Sequence, residues 1–347
     1  MNTPQTIHTE PAPMAGYTDL AFRRVLLHCG LQVVWTEMIS VTALFHRNAK
    51  TIDMLGLNEC TQGELAQTVV QLFGKNPEHY RAVLASGILD GFREININMG
   101  CPARKITANG DGCALMNNPA LAERIIRACV SSTKTPISVK MRLGVDGGLH
   151  GQPTPCEECT PYCHSVTPTT AHLTTTSCKT TPNPVTTTIT CQIPAVSFAQ
   201  MCENAGASRL IVHGRFGSQG YSGTANHHAI AEVVRAVSIP VLANGDIINE
   251  KTARECLEVT RANGVMMGRA LIGAPWQITM YKLQITNIRE IIKYHLDTAE
   301  QLYGERGILD MRKHLLAYAN HFPNPKDLKK RLCIVSSFAE GRTCLGL

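Results

Sequence analysis

Residues 95–102 read ININMGCP, a short β-branched run that ends in a Gly-Cys-Pro turn. Branched side chains suit an extended strand, and Gly and Pro stop it. A lone strand ending on a cysteine says little about architecture; what decides it is how often the chain repeats the pattern. Runs of this kind lie near residues 8–14, 32–36, 67–71, 93–98, 137–141, 209–213, 240–244 and 263–267, with helical patterns between most of them. That alternation marks βα units around a parallel sheet. Eight such units close a barrel, so the expected fold is α/β, a (β/α)8 TIM barrel spanning residues 1–286.

From about Asn287 the strand signals stop. Helical patterns over 287–303 and 307–320 follow, then the basic residues Lys326, Lys329, Lys330 and Arg331. A small C-terminal helical domain is expected over 287–347. Its basic residues suit a solvated helix face and an anion-binding surface equally well.

The 347 residues are 44% apolar and 17% charged, the composition of an ordinary globular chain. No run approaches the roughly 18 apolar residues of a membrane helix, and the N-terminus lacks a basic-then-apolar signal pattern. A cytoplasmic protein without a membrane association or a stable protein partner is expected. The net charge of +6 favours anionic partners only mildly. Fourteen cysteines spread through a long chain of this type read mostly as small buried hydrophobes.

The residues that stand out lie toward the far ends of the strand runs: Met14, Gln71, Asn98, Lys140, His213, Asn244 and Gly268. In a (β/α)8 barrel these ends converge on one mouth. Cys101 sits just past the fourth run, where a thiol can serve as nucleophile, metal ligand or proton donor. Lys140 is placed to stabilise negative charge on an electron-rich ring, and Arg142 follows it two residues on. His213, Asn244-Gly245-Asp246 and Gly268-Arg269 follow the last three strands, where barrels often bind phosphate.

Taken in order, PAPMAGYTD (11–19), TEMIS (36–40), QLFG (71–74), INMGCPARKI (97–106), SVKMRLG (138–144), VHGR (212–215), QGYSG (219–223), NGDI (244–247) and MGRA (267–270) resemble the motif set of the tRNA-dihydrouridine synthases. TEMIS leans toward the bacterial B-type branch, and AYANHFPNPKDLKKRL is similar to the family's C-terminal helical RNA-binding domain. The resemblance implies FMN as cofactor, NADPH as reductant and tRNA as substrate. It implies that Pro13 and Met14 lie on the flavin, that Gln71 reads the ring edge and that Lys140 contacts the flavin and its ribityl chain. His213, Asn244, Gly245, Asp246, Gly268 and Arg269 would hold the ribityl and phosphate end. Asn98 and Arg142 would face the uracil, and Cys101 would protonate C5 after hydride reaches C6. An FMN barrel reducing a free pyrimidine or enone is the competing enzyme reading; a tRNA-binding protein without redox activity is the other.

The segment at about 149–195 departs from that family pattern. It is Thr- and Pro-rich, with five cysteines between Cys156 and Cys191, and lacks helical or strand periodicity. Cys156, Cys159, Cys163 and His164 approach metal-ligand spacing, but a second closely spaced pair is missing. An irregular insertion without metal is therefore expected.

Overall fold

The computed structural model describes residues 7–146, 194–278 and 287–347. Eight parallel strands form the centre: β1 (Thr9–Pro11), β2 (Val34–Ser40), β3 (Thr68–Phe73), β4 (Glu94–Met99), β5 (Ile137–Met141), β6 (Arg209–His213), β7 (Val241–Asn244) and β8 (Gly264–Met267). They hydrogen-bond in the order β1-β8-β7-β6-β5-β4-β3-β2, each next to its neighbours in sequence, with helices outside. This is the expected TIM barrel. Between β1 and β2 no ladder forms among the described residues; Trp35 Nε1 instead donates to Glu10 Oε2 at 2.8 Å.

All eight runs are strands, with two shifts. The first is only three residues long, and Met14 lies beyond it in a turn whose amides at Tyr17 and Thr18 donate to the Met14 carbonyl. The second reaches Ser40, with a register shift between Trp35 and Met38, so TEMIS is strand rather than loop. The outer helices start where side chains accept the first free amides: Asp19, Asn118, Asn226 and Asn249 each cap one. Val70, Leu72, Ile95, Ile97, Val139 and Val212, all from the strands, belong to the main apolar core.

The C-terminal part holds four helices, Ile288–Tyr303, Gly307–Tyr318, Pro325–Leu332 and Phe338–Leu345. Two match expectation; the basic stretch forms the third and the fourth is additional. The part is seated on the barrel through one apolar cluster that joins Ala21 and Val25 of the helix Leu20–His28, and Cys29 at its end, to Leu296, Met311, Leu315 and Phe338. His295 and His314 are buried in this seam, and burial depresses both, His295 to about 3. His314 stacks on Phe22 with ring centroids 5.0 Å apart.

The expected insertion, including Cys156, Cys159, Cys163 and His164, lies outside the described residues except at its end, where Pro194 opens the helix Pro194–Asn204. Among the described residues no group of His, Cys, Asp and Glu is arranged to hold a metal, and no helix is long and apolar enough to cross a membrane.

Candidate active site

Side chains at alternate positions of β4 point into the barrel, and polar ones there must find partners because water cannot reach them. A continuous hydrogen-bonded column results. At its base Arg209 donates to Glu10 (2.6 Å) and to Glu94 (2.7 Å). Ser138 Oγ donates to Glu94 and accepts from Asn96 Nδ2 at 2.7 Å. Gln71 Nε2 donates to Asn96 (2.8 Å), and Asn98 Nδ2 donates to Gln71 Oε1 (2.8 Å). Burial would raise the Glu10 carboxyl, but hydrogen bonds from His8, Arg209 and Trp35 hold it down at about 2. For Glu94 the same burial wins, and its carboxyl stays above the usual range despite Arg209.

The column ends at the cysteine. Asn98 Oδ1 accepts from the amides of Gly100 (3.1 Å) and Cys101 (2.9 Å), which fixes the Gly-Cys-Pro turn at the end of β4. The Cys101 carbonyl in turn accepts from the Cys113 amide at 3.0 Å. Cys101 itself is half-buried at the mouth. Asn98 is thus a brace for the thiol as well as its neighbour. Gln71 lies two residues inside β3 and is fully buried, deeper than a strand-end position.

Around the mouth the charge is unbalanced. Lys140 Nζ donates to Asn244 Oδ1 at 3.0 Å, and Asn244 Nδ2 donates to the Met266 carbonyl at 2.8 Å, which fixes the amide's orientation. Burial, with Arg142 beside it, draws Lys140 down to about 7. His213 is pushed to about 2, first by burial and then by Lys140, Arg142, Arg215 and Arg269. Basic side chains thus surround a neutral imidazole, Arg215 Nη1 lying 3.3 Å from His213 Nε2. Arg269 extends toward solvent, 59% exposed, with its guanidinium 4.6 Å from the Tyr221 ring centroid. The Arg142 guanidinium lies 5.7 Å from the same centroid.

Two expected ligand contacts are tied into the fold. Asp246 accepts from Arg215 Nη2 at 2.8 Å and from the Ala225 amide at 2.8 Å, bonds that keep its carboxyl below the usual range against the effect of burial. Arg142 spends Nε on the Gly100 carbonyl (2.8 Å) and Nη1 on those of Phe216 (2.8 Å) and Gly220 (2.9 Å). Gly245 has φ +121°, and a Cβ there would lie 2.6 Å from the Ala225 side chain and 3.1 Å from the His213 ring, so only glycine fits. Half-buried Pro13 and Met14 lie beyond β1, and on the adjacent β8 end a Cβ on Gly268 would lie 3.5 Å from that of Ala12.

Arg215 and Tyr221 were not among the sequence-based candidates, although both stand in the quoted VHGR and QGYSG motifs. Arg215 is almost fully buried and clamps the loop after β6 through the carbonyls of Ser222 and Gly223. A phosphate-bearing group with a ring that becomes electron-rich fits this donor set: it would relieve the repulsion between Lys140 and Arg142, since the nearby carboxylate of Asp246 pairs instead with Arg215 at 2.8 Å and lies 4.0 Å from Arg269.

The family model described as Dihydrouridine synthase (Dus) matches residues 10–167 and 167–343. A Synechocystis sp. protein named "Probable tRNA-dihydrouridine synthase 1" is 31% identical over 98% of this chain and 86% of its own length. A Rhodobacter capsulatus "Probable tRNA-dihydrouridine synthase" is 33% identical, covering 89% and 85% respectively. The "tRNA-dihydrouridine synthase B" of Vibrio cholerae is 31% identical, covering 88% and 84%. With a family match across nearly the whole barrel and tail, and relatives at this identity along most of both lengths, the chain belongs to the dihydrouridine synthase family of oxidoreductases.

Proposed function

We propose that this protein reduces uridine in tRNA to 5,6-dihydrouridine in the cytoplasm, with FMN in the barrel mouth and NADPH as reductant. The observation that carries the reading is the grouping at one mouth of Lys140 on Asn244, Arg215 against His213, and Arg142 and Arg269 beside Tyr221, next to the braced Cys101 turn. When bound, FMN supplies the hydride, having received one from NADPH.

The chain's own residues do the rest. Pro13 and Met14 would line the ring, with Gln71 at its edge. Lys140 would sit against the ring and ribityl chain. Its ammonium is favoured once an anion replaces the lost solvent. His213, Asn244, Gly245, Asp246, Gly268 and Arg269 would hold the ribityl and phosphate end, Asp246 acting through Arg215 and the loop it clamps. Asn98 and Arg142 would border the uracil, and Cys101 would hold at Sγ the proton given to C5. The helix Pro325–Leu332, with Lys326, Lys330 and Arg331 exposed, would meet RNA phosphates.

Dihydrouridine formation is to be measured in undermodified tRNA, and separately in free uridine, with FMN-loaded protein and NADPH. Reduction of tRNA alone supports the proposal. Reduction of the free nucleoside at a matching rate would support the small-substrate reading. FMN-free protein that still binds tRNA would support a binding role.

A further inference from the structure

On the outer helices and the tail several exposed cations are matched by carboxylates one turn away, Arg127 by Glu123, Arg254 by Glu250, Lys251 by Glu255, Lys293 by Asp297 and Lys330 by Asp327, while Arg124, Arg235, Lys326 and Arg331 stand singly. On the barrel rim beyond β2, β3 and β4 such cations are gathered on one face. Arg47, Lys50, Lys75, Arg104 and Lys105 are exposed there, and none has a carboxylate within 4.0 Å among the described residues. Stretches 41–50, 74–79 and 103–111 contain two acids: Glu78, which pairs with Arg81 at 3.2 Å, and half-buried Asp111, whose carboxyl is raised by burial against the pull of Lys75.

These stretches share the mouth face of the barrel. The helix Val41–Phe45 begins at the residue after β2, the helix Pro77–Ala85 follows β3, and the helix Arg104–Thr107 begins three residues past Cys101. They also touch one another. A Cβ on Gly74 would lie 2.5 Å from the Val41 side chain, and one on Gly110 would lie 3.5 Å from that of Lys75.

Among these cations stands an aromatic shelf. Phe45 is 42% exposed and stacks on His79, with centroids 4.3 Å apart and planes 14° from parallel. His46 meets Phe45 edge-on at 5.0 Å, and Thr42 Oγ1 bonds His79 Nδ1 at 3.0 Å, which holds the lower ring in place. An exposed flat ring in a basic surround suits a ligand that brings a π-face and a phosphate with every unit. An acidic peptide brings the charge without the ring.

We infer that this rim seats the RNA strand flanking the target uridine, one base stacking on the Phe45–His79 shelf while phosphates run past Arg47, Lys50, Lys75, Arg104 and Lys105. The inference rests on the tRNA reading above and locates a contact surface on the barrel, apart from the basic helix of the tail.

The test uses full-length, FMN-loaded protein with undermodified tRNA. Phe45→Ala/His79→Ala raises Kd and KM for tRNA about tenfold, the loss expected of one base–aromatic stack, while NADPH oxidation without tRNA is unchanged. Phe45→Trp keeps near-normal affinity. Arg47→Ala/Lys75→Ala/Lys105→Ala lowers the slope of log affinity against log salt by about 2, at roughly 0.7 per phosphate contact. Because these three side chains are exposed, that variant stays informative even where the aromatic one folds poorly. Unchanged KM and salt slope in variants of an enzyme that does reduce tRNA would overturn the rim alone. A wild-type protein that does not act on tRNA would overturn the underlying reading and the rim with it.

Discussion

The floor and the mouth of this barrel are both lined with charge and treat it in opposite ways. At the floor, Arg209 lies between Glu10 and Glu94, with Trp35, Ser138 and His8 taking up the remaining oxygens. At the mouth, Lys140, Arg142, Arg215 and Arg269 press on His213, and Asp246 is committed to the loop clamp. The floor is internally closed and needs nothing from outside. The mouth carries a positive surplus that suits an anionic ligand. The interior therefore separates two tasks: holding the barrel together below and binding above.

The sharpest way to break that contrast is to remove the cation that the two floor carboxylates share. Arg209→Met leaves Glu10 and Glu94 buried without it, and breaking a buried pair costs about 3–5 kcal/mol. Urea unfolding is expected to register that loss; a change below about 1 kcal/mol would show that the floor is not a structural clamp.

Cys101→Ala tests the mouth at similar energy but in a different observable. Loss of a general acid lowers turnover about 10²–10⁴-fold, so dihydrouridine formation falls by that factor. NADPH oxidation and the urea midpoint stay near wild type. Normal yield of dihydrouridine would remove Cys101 from the proton-donor role.

Lys140 sharpens the comparison through pH. Its amine titrates near 7 in the folded protein and at an ordinary 10.5 unfolded. Between those values the unfolded chain binds more protons, so this group makes the flavin-free protein more stable as pH rises through the window. Lys140→Met is expected to flatten that rise and to weaken FMN retention about tenfold, the size of one lost charged hydrogen bond. Wild-type FMN affinity together with an unaltered pH profile would disconnect Lys140 from the ligand.

The smallest effect is expected where the chain leaves the barrel after β5. A Cβ on Gly144 would lie 3.7 Å from Pro194 Cβ, so the described ends of the 147–193 segment already meet. Replacing residues 148–192 by a Gly-Ser link of about twenty residues should change stability by less than about 1 kcal/mol, since loop closure varies by only about 0.6 kcal/mol per doubling of length. Thermal unfolding and FMN content measure it; a loss comparable to Arg209→Met would make the segment part of the clamp.

Much of this was legible in the sequence. The eight strands and the residues at their mouth-facing ends follow from local runs and their spacing, and barrel closure brings Cys101, Lys140, His213 and Asn244 to one opening as expected. The third and fourth tail helices were harder to read: their apolar residues Leu328, Leu332, Phe338 and Leu345 are sparse and acquire meaning only against the cluster around Leu296 and Leu315.

What the sequence determined by itself is the backbone plan, because strand and helix signals act between residues a few positions apart. The tertiary structure alone decided which polar groups would be spent on the fold and which left for a ligand. Glu10 and Arg209 are 199 positions apart and Glu94 and Arg209 115, so nothing local announces their union. The bond that Arg215, brought to it by the turn after β6, makes to the Asp246 carboxylate is likewise invisible in the local sequence. A hydrogen bond counts only when both partners arrive at one place without water, and for these residues closure of the barrel sets that place.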